Sequence, residues 1–133
     1  MIVRFRSSPY ERHDPFAASG DQGSNGCFGT DSSAPTLEVD DPASQPYVTG
    51  VGGTSLTNPA NPPSEVVWND GANASGGGLS ALQSQPSWQV GPGVANTFSS
   101  GKNAREVPDV SASADPSHGY VVYYTGANDN GDT

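Results

Sequence analysis

The run YVTGVGGT, at residues 47–54, is the stretch of this sequence that predicts the fold most clearly. Val48 and Val51 favour a β-strand, and a pair of glycines closes the run. The chain continues as GGTSLTNP (52–59), which places Ser55 just after the glycines. A serine in this position raises the question of whether Ser55 is the nucleophile of a hydrolase.

The residues after Ser55 do not favour that role. A nucleophilic serine usually precedes a helix, whose N-terminus stabilises the developing negative charge. Pro59, Pro62 and Pro63 follow Ser55, and a residue before a proline is disfavoured in the helical conformation. The pattern therefore predicts that a strand ends at residues 52–55 and that a proline-rich loop follows.

Other short runs predict further secondary structure. Small and apolar residues followed by glycines predict a short buried strand that ends in a turn within 14–26. Runs rich in β-forming residues predict further strands at 65–69 and within 119–126. The run LSALQSQ (79–85) is compatible with two helical turns, because Pro86 would end a helix there. Together these runs predict an α/β protein with short strands and long loops.

Composition and charge restrict the possible partners. The 133 residues suffice for one domain, and 17 Gly with 12 Pro indicate many loops. The net charge of −9 opposes binding to nucleic acid or to an anionic membrane surface. No apolar run approaches the roughly 18 residues of a membrane span. Cys27 has no second cysteine with which to form an internal disulfide.

The first fourteen residues differ from the rest of the chain. They hold Arg4, Arg6 and Arg12, which are three of the five basic residues, and they lack the apolar centre of a signal peptide. We therefore expect residues 1–14 to be a separate N-terminal segment and residues 15–133 to form the domain.

Serine, histidine and acidic residues are present, but no pattern joins them. The sequence contains no Gly-x-Ser-x-Gly elbow. His13 and His118 have no patterned partners, which is more typical of surface histidines. Asp21 lies in SGDQG (19–23), at the predicted end of a strand. Taken by itself, this residue is typical of an Asp that caps its own turn.

Seven short stretches in a fixed order carry more information than any one of them. The ordered series resembles the sedolisin family of serine-carboxyl peptidases over roughly residues 15–125. The stretches are AASGDQG (17–23), VDDPASQPYVTGVGGTSL (39–56), EVVWN (65–69), SGGGLS (75–80), QPSWQ (85–89), REVPDVSASADP (105–116) and GYVVYY (119–124).

This resemblance implies both a fold and an activity. The fold would be α/β and subtilisin-like, with a parallel sheet and flanking helices, and here it would be loop-rich and incomplete. The activity would be that of a serine-type endopeptidase, a hydrolase that cleaves polypeptides in acid and outside the cell. The family also binds calcium near the end of its domain.

The resemblance assigns roles to two residues. Asp21 matches the Asp of a Ser-Gly-Asp-x-Gly turn, which completes the oxyanion hole of the family. A carboxyl group that stays neutral can donate a hydrogen bond to an oxyanion. Ser55 matches an earlier Gly-Gly-Thr-Ser copy that is not catalytic in the family, so we expect it to be a look-alike of the nucleophile.

The remaining catalytic groups of the family have no counterpart. The sequence contains no Glu-x-x-x-Asp pair, and the family's nucleophile segment would follow Thr133. The run NDNGDT (128–133) has acidic oxygens without a recognisable calcium-loop spacing. We therefore expect a peptidase fragment that is inactive alone. The alternative is a non-catalytic, acidic, secreted module that binds a partner or provides structure.

Overall fold

A computed structural model describes residues 14–26, 37–58, 63–94, 103–121 and 123. The predictions made for residues 1–13, for Cys27 and for the run at 128–133 lie outside the described residues. Six strands are present in the described part, namely β1 (Phe16–Ala18), β2 (Thr49–Asn58), β3 (Ser64–Val67), β4 (Gly78–Ser84), β5 (Ala104–Val107) and β6 (Val110–Ser113).

Strand β2 is the centre of the larger sheet. It pairs in parallel with β1 and β6 and antiparallel with β3. Val51 faces Ala18 on one side and Val110 on the other, so β1 and β6 lie on opposite edges of β2. Thr54 faces β3 and β6 in the same way. It follows that β1 and β3 lie along the same edge of β2, with β1 beside its first half and β3 beside its second half, while β6 lies along the opposite edge.

The strands predicted from 14–26, 47–54 and 65–69 are present as β1, β2 and β3. Two details of the prediction are wrong. β2 does not end at Ser55 but continues to Asn58, because β3 pairs with this second half of the strand. The first strand is not fully buried either, since Phe16 is 70% exposed.

The helical turns predicted at 79–85 are absent. These residues form β4, which pairs antiparallel with β5 around an irregular stretch between Leu79 and Ser84. Within that stretch the Ser80 hydroxyl accepts hydrogen bonds from the amides of Leu82 and Gln83. Pairing with β5 has therefore overridden the weak helical preference of the local sequence.

The described part of the chain is a mixed sheet with a smaller two-stranded sheet. It contains no helix, so the flanking helices expected from the resemblance are not seen there. The strand predicted within 119–126 is not formed by the described residues of that run. Among those residues, Tyr120 and Tyr123 are largely exposed.

The glycines of GGTS are explained by packing. A Cβ atom on Gly52 would lie 2.6 Å from Cγ of Pro108, and one on Gly53 would lie 2.9 Å from Cβ of Ala114. Such separations are too short for a side chain, so both positions exclude any residue larger than glycine. Because the two glycines lack side chains, β2 can lie close to Pro108 at Gly52 and close to Ala114 at Gly53.

A buried ion pair connects the two sheets. Arg105 is fully buried, and its Nη1 and Nη2 donate to the two carboxylate oxygens of Asp109 at 2.6 and 2.5 Å. Nη2 also donates to the Val48 carbonyl at 3.1 Å, and Asp109 accepts from the Gly50 amide at 2.8 Å. The guanidinium lies 5.0 Å from the ring centre of Trp88. This network joins β5 to the start of β2.

Arg105→Met should destabilise the chain strongly. The substitution leaves the Asp109 carboxylate without its cation, and removing one partner of a buried pair typically costs about 3–5 kcal/mol. Urea unfolding followed by tryptophan fluorescence measures the loss. The double variant Arg105→Met/Asp109→Asn should be more stable than Arg105→Met, because no unpaired charge remains. Equal stability of the two variants would show that the ion pair does not carry this part of the fold.

Candidate functional site

The Asp21 turn follows β1 directly. The chain turns at Gly20, whose φ of 99° is readily adopted only by glycine. Asp21 is the next residue, and its side chain is exposed to solvent. The sequence thus places a carboxyl group at the carboxyl end of a strand that is parallel to β2.

Residues 74–76 hold this turn by backbone contacts. The amides of Ala74 and Gly76 donate to the carbonyls of Asp21 and Gly20 at 2.8 and 2.7 Å. The Ser19 hydroxyl donates to the Gly76 carbonyl at 2.7 Å. A Cβ atom on Gly76 would collide with the Ser19 carbonyl oxygen, so glycine is required there. The SGGG run is therefore the support of the turn that carries Asp21.

A cleft of about 330 Å³ opens beside Asp21. Its walls come from β1, the glycines of β2, the Trp68 side chain and residues 112–114 at the end of β6. The strand register places Phe16, Val66 and Val110 on one face of the sheet, where they are 70%, 52% and 50% exposed. Asp21 therefore lies at the edge of an apolar, uncovered sheet face.

Ser55 has a different environment. It is buried in β2, and its hydroxyl donates to Oδ2 of Asp115 at 2.5 Å. Nδ1 of His118 lies 2.9 Å from the same oxygen, and the Ser117 amide donates to the other at 2.8 Å. The Asp115 carboxylate lies between Ser55 and His118, so the serine hydroxyl donates its proton to Asp115 and not to the imidazole. This arrangement joins β2 to the turn after β6.

The same contacts change the acidity of Asp115. Its pKa is lowered to about 2, first by the hydrogen bond from Ser55, then by His118 and the Ser117 amide. Local sequence patterns predict neither this cluster nor a partner for His118. The Asp-Pro-Ser-His run is a turn signal, but nothing in it indicates that Ser55, sixty residues earlier, is the third member.

The described residues provide no obvious metal site. No group of three or more His, Cys, Asp or Glu side chains in this part of the chain is arranged to hold an ion. The acidic run at 128–133 lies outside the described residues, and no step of the chemistry is assigned to a metal here. Across the same residues, no helix has the length and apolarity needed to cross a bilayer.

Comparisons with known proteins agree with the ordered motifs. No protein-family model matches the chain. Kumamolisin of Bacillus sp. (strain MN-32) is 43% identical over 115 residues, which are 83% of this chain and 20% of that protein. Sedolisin of Pseudomonas sp. (strain 101) is 36% identical over 118 residues, which are 82% and 19%. The matched part of the chain belongs to the sedolisin family.

A mammalian relative and a solved structure extend this assignment. Tripeptidyl-peptidase 1 of Canis lupus familiaris is 40% identical over 114 residues, which are 79% of this chain and 19% of that protein. The solved structure is Pseudomonas sedolisin, a serine-carboxyl proteinase, complexed with two molecules of pseudo-iodotyrostatin. It matches with a TM-score of 0.56 and 36% identity over 74% of this chain and 28% of the other. This sedolisin-type chain spans about a fifth of the length of these curated relatives.

Asp115→Asn should remove an acid-dependent part of the stability. A carboxyl whose pKa is lowered on folding stabilises the protein above its ordinary value of 3.8, and this contribution is lost as the pH falls towards about 2. The melting temperature of the unaltered chain should therefore fall more steeply between about pH 5 and about pH 2 than the melting temperature of the variant. Asp14→Asn, which alters an exposed carboxylate before β1, is the control. Parallel curves for all three proteins would contradict the role of Asp115.

Proposed function

We propose that this chain supplies part of the catalytic domain of an extracellular serine-carboxyl peptidase, in which Asp21 donates a hydrogen bond to the oxyanion. The observation that carries the proposal is the position of Asp21. It is exposed at the end of a strand, beside a cleft and on a turn that residues 74–76 hold in place. The names of the matched relatives support the class of reaction.

The proposed chemistry of Asp21 depends on its proton. When serine attacks a peptide carbonyl, negative charge develops on the carbonyl oxygen, and a donor aimed at this oxygen lowers the barrier. A neutral Asp21 carboxyl can donate its proton in this way, whereas an ionised one repels the charge. The reaction should therefore run in acid. The substrate would be a polypeptide whose scissile carbonyl lies next to Asp21, at the edge of the sheet.

No other catalytic role is assigned to the described residues. Ser55 is buried and donates to a carboxylate whose pKa is about 2, so this hydroxyl has no strong base beside it. We propose that Ser55 is structural and that the nucleophile and its base belong to other parts of the peptidase domain. The uncovered face with Phe16, Val66 and Val110 supports this view, because such a face normally packs against further structure.

The test is a chimera in which this chain replaces the matched segment of kumamolisin. Acid-pH hydrolysis of a denatured protein substrate should be retained. Asp21→Ala should lower kcat by about 10²–10³, the usual effect of losing one oxyanion donor. Asp21→Asn should lower kcat less than Asp21→Ala does, because the side-chain amide of Asn can also donate a hydrogen bond to the oxyanion. Ser55→Ala, in a chimera of unchanged fold, should keep its turnover.

Two results would contradict the proposal. Nearly full turnover of Asp21→Ala in acid would make Asp21 a turn residue alone, and loss of turnover in a folded Ser55→Ala chimera would make Ser55 the functional group. The 133-residue chain by itself should show no hydrolysis. An isolated chain that is stable, binds a peptide and cannot replace the kumamolisin segment would favour the alternative of a non-catalytic binding module.

A further inference from the structure

Asp40 lies behind the Asp21 turn. Its carboxyl group fills the space next to two glycines, since a Cβ atom would collide with Oδ2 at Gly20 and with Oδ1 at Gly26. These two glycines are the first and last residues of the segment 20–26, which contains the Asp21 turn. Backbone hydrogen bonds hold the two segments together, from the Glu38 amide to Ser24 at 2.9 Å and from the Gly26 amide to Glu38 at 3.3 Å.

The surroundings of Asp40 disfavour its charged form. Burial raises its pKa, and the charge of Asp21 across the turn raises it further. Asp21 is the charged group that faces Asp40 from the turn. Glu38 and Asp41 are its acidic neighbours on its own segment, and Asp41 accepts a hydrogen bond from Nε2 of Gln45 at 2.9 Å. Residues 74–76, which support the turn from the other side, carry no ionisable side chain.

We propose that Asp40 is a positioning residue, which holds the Asp21 turn when it is neutral and loosens the turn when it ionises. A neutral carboxyl packs against the backbone of Gly20 and Gly26 at little cost. An ionised one has to recover its hydration and is repelled by Asp21. Both effects act to separate residues 20–26 from the segment that carries Asp40.

The direction of the pH dependence follows from the raised pKa. A carboxyl whose pKa is higher in the folded turn than in a free chain stabilises the turn below its ordinary value of 3.8. This stabilisation is lost as the pH rises through the folded value. The turn should therefore be best ordered in acid. Its use in catalysis rests on the proposed function, whereas the effect itself needs no peptidase activity to be measured.

Amide hydrogen exchange in the 133-residue chain tests this inference. The Gly23 and Gly26 amides donate to the carbonyls of Ala74 and Glu38, so their protection factors report the turn. In the unaltered chain these factors should fall several-fold from about pH 3 to about pH 7. The fall should disappear in Asp40→Asn and persist in the neighbouring control Asp41→Asn. The Trp68 amide, bonded to Gly53 in the sheet, is the internal reference and should not change.

Three outcomes would overturn the inference. The first is a constant protection of Gly23 and Gly26 in the unaltered chain. The second is a fall that remains in Asp40→Asn, and the third is an equal fall at Trp68. If the Trp68 amide loses its protection from exchange in Asp40→Asn, that variant has not folded, and the variant Asp21→Asn tests the inference in its place. That variant alters an exposed side chain and should reduce the fall, because one of the two repelling charges is gone.

Discussion

The rest of this structure depends on one buried guanidinium, that of Arg105. Burying a charge is costly unless a partner and hydrogen bonds compensate for it. Asp109 provides the partner, and the carbonyls of Ala43, Val48 and Glu106 accept further hydrogen bonds from the guanidinium. Because Asp109 also binds the Gly50 amide, the position of the charge fixes the start of β2. Few buried apolar side chains are present in the described residues, so polar contacts carry much of this alignment.

The position of the candidate site follows from the alignment of β2. Once its start is fixed, parallel pairing fixes β1, and the end of β1 places Asp21 beside the cleft. The other half of β2 has another role. Ser55 is held by Asp115, a carboxylate that stays ionised well into acid because its pKa is about 2. One strand thus aligns a solvent-exposed acid at one point and a buried serine bonded to a carboxylate at another.

The sequence predicted the elements that depend on local pattern. β1 follows from a small and apolar run, and β2 and β3 follow from runs of β-forming residues. The prolines after Ser55 rightly predicted that no helix starts directly behind it, because β2 continues to Asn58. Prediction failed where distant contacts decide. The stretch 79–85 became β4 because β5 pairs with it, and β5 and β6 were recognised only as motifs. The bond between Ser55 and Asp115 joins residues sixty positions apart, which no local signal reveals. The place of Asp40 behind Gly20 was equally invisible.

The central claim is that Asp21 faces the oxyanion. A crystal structure of the kumamolisin chimera with a peptide aldehyde tests it most directly, because the aldehyde and the host's serine form a tetrahedral adduct. A carboxyl oxygen of Asp21 should lie about 2.5–3.0 Å from the oxygen of this adduct, within hydrogen-bond distance. An adduct oxygen held by other donors, with Asp21 directed to solvent or to its own turn, would contradict the account.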